Sequence, residues 1–167
     1  MTPAGALCTA CGACCNGTLF DAVPLERAEI ALGPRLRLPI VAAGDEACMA
    51  LPCPRLDGAT CTIYAERPST CRTYKCGLLE ELERGEVTAA DAHARVDALR
   101  EAAARARELL PNATNMPLLR AFHAFADEAG GRRSAAFIEG HAELARRVDE
   151  LGVRTRAVTR GVAGDPT

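Results

Sequence analysis

The chain has no tryptophan, and aromatic residues make up only 4% of it. A core here must be built from Ala, Leu and Val, which pack thinly, so a bound metal would help to hold it. An excess of charge of one sign is also missing: 20 basic residues face 22 acidic ones, a net charge of −2. Neither half is a basic arm, so there is no electrostatic case for nucleic acid. No apolar run reaches roughly 18 residues, so nothing is expected to span a membrane. The opening MTPAGALC lacks the apolar stretch of a secretory signal, and a cytoplasmic location is expected. No nucleophile elbow, phosphate loop or His-Glu-x-x-His pair occurs. The Glu80-Glu81-Glu83 run reads as a solvated helix face, so no catalytic residue is assigned and the reading leans away from an enzyme.

What the chain does have is cysteine. Of its nine, four fall in CTACGACC, as Cys8, Cys11, Cys14 and Cys15. A second set, Cys53, Cys61, Cys71 and Cys76, must fold back to the first. Two residues between thiols let a tight turn aim both sulfurs at one ion about 2.3 Å away, a spacing that serves zinc and iron–sulfur clusters alike. Gly12, between the second and third thiols, allows a positive φ in such a turn. Cys14 and Cys15 are adjacent, so their side chains diverge; one is expected to serve a first metal while the other faces a second site or packs. The bacterial ferredoxin pattern fails at its fourth ligand, because Cys15 follows Cys14 at once with no Cys-Pro beyond. The zinc-ribbon pattern fails for want of a second Cys-x-x-Cys. An odd count and no visible export signal favour metal ligation over disulfides. Cys48 matches no spacing and reads more readily as a packed thiol than as a ligand.

Length suits one domain, or a small domain with an appendage. Residues 24–32 are expected to form a short helix starting at Pro24 and ended by Gly33 and Pro34. Leu36, Leu38 and Ile40 alternate as in a half-buried strand, which Pro39 confines to a sheet edge. A turn at Gly44-Asp45 then returns the chain through ACMAL, making one hairpin. Pro52 and Pro54 keep Cys53 out of regular structure, Asp57-Gly58 is a turn, and Pro68 opens the turn carrying Cys71.

Three groups of residues together resemble a known family. They are Cys8, Cys11, Cys14 and Cys15; Pro52, Cys53, Pro54, Leu56 and Asp57; and Cys61, Ile63, Tyr64, Arg67, Pro68, Cys71, Arg72 and Tyr74, with Cys76 closing the set. This pattern resembles the zinc- or iron-chelating cysteine-cluster family (YkgJ-like). The resemblance covers residues 8–76 and implies metal binding through Cys8, Cys11, Cys14, Cys15, Cys53, Cys61, Cys71 and Cys76. Flagellin lysine methylases carry a similar cysteine pattern.

The rest reads as helix. GLLEELERG is a short one. Thr88 and Asp91 resemble a capping box, after which Ala92, Val96, Leu99, Ala103, Ala106 and Leu110 recur at steps of four and three, an apolar stripe about 30 Å long stopped by Pro111. LLRAFHAFADEAG and SAAFIEGHAELARRVDEL give two more helices, the latter capped by Ser134. His93, His123 and His141 lie on these helices and are read as core or surface residues rather than ligands. Arg67 and Arg72 sit among the thiols, either to offset thiolate charge and donate to sulfur or as ordinary surface arginines.

The expected fold is mainly α: a cysteine-rich, loop-dominated metal module over 1–76, an antiparallel helical bundle over 77–152 packed on it, and a flexible tail over 153–167. The expected function is to hold zinc or iron, as ions or as an iron–sulfur cluster, with the metal mainly structural and the helical half offering a surface to a protein partner. An iron–sulfur redox protein or enzyme component is the first alternative, and metal storage or delivery the second. Thiolates suit zinc and iron alike.

Overall fold

The computed structural model describes residues 3–43, 46–111, 116–128, 130–132 and 134–159. Among them are eight α-helices and five short strands, so the chain is mainly α with a small antiparallel β part. The first helix, α1 (Pro3–Cys11), runs through Cys8 and Cys11, where turns were expected. Residues three apart share a helix face, so the same Cys-x-x-Cys spacing suits a helix as well as a turn. Pro3 opens the helix, where its missing N–H costs nothing, and Leu7 buries its inner face. Gly12 ends it with φ +65°. A side chain there would also meet the Ala59 Cα at 3.1 Å.

The helix expected at Pro24 is displaced. Pro24 lies in strand β1 (Ala22–Leu25), paired with Cys48 of β3 (Glu46–Ala50). The sheet order is β1-β3-β2, which leaves β1 at an edge that tolerates proline. A 3-10 turn, Arg27–Ala31, then leads into α2 (Leu32–Leu36), with Gly33 and Pro34 inside its first turn rather than after its end. Arg37 stops α2 in the left-handed region, φ 51°. Strand β2 (Ile40–Ala43) therefore begins only after Pro39. Leu36 and Leu38 are buried as expected, but from a helix end and a loop. The β2–β3 hairpin forms, while its Gly44-Asp45 turn lies outside the described residues. These strands enclose a small core of Val23, Leu36, Leu38, Met49 and Leu51.

A two-residue ribbon follows, β4 (Leu56–Asp57) with β5 (Thr60–Cys61), turned at Gly58 with φ +59°. Then come α3 (Ser69–Thr73) and α4 (Gly77–Glu83). The Glu29 carboxylate accepts the Ser69 N–H at 2.6 Å, so the 3-10 turn caps the start of α3.

The long α5 (Ala89–Glu108) is the spine of the molecule. Thr88 Oγ1 accepts the Asp91 N–H at 3.1 Å, the expected cap. Ala92, Val96, Leu99, Ala103, Ala106 and Leu110 are all buried, joined by Ala102. The most extensive neighbour of α5 is α8 (Ala142–Thr159). Arg105 on α5 meets Glu150 on α8 at 2.8 Å, while Val96 and Val158 toward the other end line one cavity, so the two run antiparallel. Helix α1 also lies along α5, and α4 touches α1, α5 and α8. Helix α6 (Leu118–Glu128) adds Leu118, Ala121, Phe122 and Ala126 to the same core.

Two helix boundaries differ from expectation. The stretch after Ser134 is two helices, α7 (Ala135–Gly140) and α8, broken where His141 takes φ −134° just after Gly140. Ser134 is the N-cap, accepting the Phe137 N–H at 3.1 Å. The last helix does not fray at Gly152. It continues to Thr159 with Val158 buried, because α5 and α4 supply a surface for that extra turn. Residues 160–167 lie outside the described residues.

Leu99 is 0% exposed at the centre of the α5 stripe. Leu99→Ala should lower stability by about 2–5 kcal/mol in urea denaturation. A midpoint equal to that of the unmutated chain would mean that the stripe is not the core.

Candidate metal centre

The thiols are carried by helix, turn, loop and strand, and the two cysteine sets meet in space. Cys8 and Cys11 project from α1. Cys14 and Cys15 lie in the turn after Gly12, where the Cys15 N–H donates to the Gly12 carbonyl at 3.0 Å. The second set is tied to the first by the Cys53 N–H, which donates to the Cys15 carbonyl at 2.8 Å. Cys61 ends β5, Cys71 sits in α3, and Cys76 immediately precedes α4. All nine cysteines are free thiols; Cys8 is exposed and the others half-buried.

Two adjoining cavities are lined by these thiols, one of about 300 Å³ and one of about 310 Å³. Cys53 faces only the first. Cys8, Cys11 and Cys76 face only the second. Cys14, Cys15, Cys61 and Cys71 stand between them and reach both.

Electrostatics divides the eight more sharply. Burial pushes the Cys8 thiol up, and the Cys76 and Cys11 sulfurs push it further. Burial holds Cys14 well above the ordinary thiol value, reinforced by Cys11, Cys76, Cys15 and Cys8. Burial also raises Cys76, although the backbone N–H groups that open α4 oppose it. The other group answers to itself. Burial pushes Cys15 up to about 12, with Cys53, Cys71 and Cys61 adding to it. Burial pushes Cys71 up to about 11, with Cys53 and Cys61 adding. The strongest interactions group Cys8, Cys11, Cys14 and Cys76 on one side and Cys15, Cys53, Cys61 and Cys71 on the other, with Cys15 also acting on Cys14 across the seam. The adjacent pair Cys14 and Cys15 supplies one member to each.

The donor chemistry of both sets fits a thiophilic metal, since four thiolates are the full complement of a structural zinc site or of one iron–sulfur cluster. A second observation agrees. Arg67 lines both cavities, its Nε–H is buried with no hydrogen-bond partner among the described residues, and thiolate sulfur is an acceptor for such a donor. The sulfurs face common space without converging. Among the described residues, no three His, Cys, Asp or Glu side chains are yet spaced to hold an ion.

The remaining candidates separate cleanly. Cys48 points to the face of β3 opposite Met49 and lines neither cavity. His93, His123 and His141 line neither cavity; the His141 ring packs 4.9 Å from Phe125 and 5.1 Å from Phe137. Arg72 is exposed and donates to the Arg67 carbonyl at 3.0 Å.

Two features have no role in the sequence reading, where Tyr74 stands only as part of the family pattern. Tyr74 lines both cavities and stacks edge-on against Phe20, with ring centroids 5.2 Å apart. Arg100 and Arg107 reach from α5 to the first cysteine segment, donating to the Ala10 and Asn16 carbonyls at 3.1 Å each. Their signal was present, because arginines seven apart on a helix share a face.

Residues 7–89 match the family model described as "CxxCxxCC: Putative zinc- or iron-chelating domain". This stretch belongs to that family. No curated protein and no solved structure matches the chain significantly. The family stretch contains all eight of these thiols, the whole lining of the first cavity, and α4, and stops at the first residue of α5, while Gly5, Val96 and Val158 complete the second cavity from outside it. The helices that brace it from behind, α5, α6 and α8, lie beyond the match.

The raised thiols make stability of the metal-free, reduced protein depend on pH. Thiols held above the ordinary 9.0 keep their protons in the folded chain after the unfolded chain has lost them. Their contribution is full below about pH 9 and is lost as pH rises through about 11 and about 12, the values for Cys71 and Cys15. Thermal midpoints should therefore fall across that window, in step with thiolate ultraviolet absorbance. A flat midpoint would show that the thiols do not share buried space.

Proposed function

We propose that this chain is a metal-binding protein in which Cys8, Cys11, Cys14 and Cys76 hold one metal and Cys15, Cys53, Cys61 and Cys71 hold a second, both mainly structural. The observation that carries this reading is the division of the adjacent Cys14 and Cys15 between two groups of mutually interacting thiols. Four thiolates leave a zinc ion no open position for substrate, which supports a structural rather than a catalytic metal. The sulfurs are not yet convergent, so an ion would draw them inward and fix the loops that carry them, and binding becomes part of folding. Free thiols at this density also suit a reducing compartment such as the cytoplasm.

A second reading, an iron–sulfur cluster in the Cys15 set, is favoured by one feature. That set faces the cavity walled by Phe20, Val23, Met49, Leu51 and Ile63, an apolar surrounding of the kind that tunes a cluster's potential by excluding water.

The two readings part in one preparation. After purification without oxygen, zinc and iron are counted by mass spectrometry and acid-labile sulfide is assayed. Two zinc ions per chain with no sulfide support the first reading, and iron with sulfide supports the second. Cys11→Ser and Cys53→Ser should each lose one metal and keep the other. A variant that retains the full complement would overturn the division into two sets.

The structural role has its own test. Chelation under reducing conditions should remove folding free energy on the order of 10 kcal/mol per site. Hydrogen exchange should then rise across 8–76 while α5 and α8 stay protected. Equal protection of 8–76 with and without metal would instead favour storage or delivery.

A further inference from the structure

Arg67 is the one cation among the described residues that lines both cavities. Arg72 and Lys75 border only the second, and each has a partner elsewhere. Arg72 donates to the Arg67 carbonyl at 3.0 Å, and Lys75 pairs with Glu83 at 2.7 Å. The Arg67 guanidinium lies over the Tyr64 ring, 3.7 Å from its centroid, which fixes the plane of the group. Its buried Nε–H has no acceptor among the described residues. A buried donor left unpaired is unfavourable, so the arrangement is complete only when an acceptor arrives.

We infer that Arg67 is a counter-ion shared by the two thiolate sets, its Nε–H donating to a sulfur at their seam and its charge allowing both sets to be filled at once. This rests on the two-metal reading above. A divalent ion held by four thiolates keeps two surplus negative charges, and two such sites side by side repel. The one cation reaching both offsets that repulsion, and removing it penalises the second ion more than the first. Arg67 is thus a positioning and charge-balancing residue, not a ligand.

The test is stepwise zinc binding by the full chain, measured in competition with a chromophoric chelator at fixed pH. Arg67→Met should weaken zinc binding by about 10–100-fold, the usual cost of losing an outer-shell partner, with the larger loss at the second ion. Arg67→Lys keeps the charge and loses the Nε–H, so it should narrow the gap between the two steps without restoring full affinity. Lys75→Gln removes a neighbouring cation that reaches one cavity only and should leave both steps within about twofold, as an exposed pair contributes little. Circular dichroism of the zinc-loaded chains checks folding; if Arg67→Met does not fold, Arg67→Lys decides the case in the same titration. Unmutated affinities in the variant that decides, or a loss in Lys75→Gln as large as in Arg67→Met, overturns the inference. An unmutated chain that binds no zinc through its thiols shows in the first titration that the two-metal reading itself has failed.

Discussion

Thiols crowded into a small volume repel one another as soon as they ionise, and the rest of this structure is arranged around that repulsion. Each raised thiol is raised first by burial, and Cys8, Cys14, Cys15 and Cys71 next by other sulfurs. The metal-free chain answers by keeping its thiols protonated. A metal answers by replacing the protons with one concentrated positive charge. Both answers need the segments carrying the thiols to be held close before the charge is settled, and the fold supplies that constraint. The Cys53 N–H is fixed on the Cys15 carbonyl, and Gly12 lets the Ala59 turn lie directly against the first cysteine segment.

The helical half is therefore more than an appendage to the cysteine segments. Leu7 and Ala13, from among the thiols, belong to the same core as Leu99, Phe122 and Leu151. Arg100 and Arg107 hold the carbonyls of Ala10 and Asn16 from α5. With aromatic residues scarce, that core relies on close approach of small side chains, and α5 presents Ala92, Ala102, Ala103 and Ala106 to its neighbours. This is how a chain with so few large apolar groups fixes one end of a thiol cluster without metal.

Local rules made some of this legible in the sequence. The α5 stripe, its Thr88 cap and the β2–β3 hairpin follow from periodicity and turn residues. The cysteine spacing and its flanking residues led to the right family. What stayed hidden depended on distant partners. Pro24 is compatible with a helix start or an edge strand, and only pairing with β3 decides for the strand. Cys8 and Cys11 fit a turn or a helix, and burial of Leu7 against α5 decides for the helix. The break at His141 follows a glycine that nothing in the apolar stripe marks as a helix end. Which thiols act on which is a property of the whole fold, since Cys76 acts on Cys8, Cys11 and Cys14 of the first segment while Cys15 answers chiefly to Cys53, Cys71 and Cys61.

That division also makes the two sets mechanically unequal. Cys8 and Cys11 ride on α1, and Cys76 adjoins α4, helices seated on α5 and α8. Cys15, Cys53, Cys61 and Cys71 sit in a turn, a proline-flanked loop, a two-residue strand and a five-residue helix, above a core of only five buried side chains. Regions with few buried contacts open at lower free energy than the global fold. The first set is therefore largely placed by packing, and on the two-metal reading proposed above an ion there would close a site whose segments the helices already hold near one another. The second set has little else to place it, so an ion there would organise the loops themselves. Cys14 and Cys15 link these two regimes through one peptide bond, and a metal in either set constrains the backbone that presents the other.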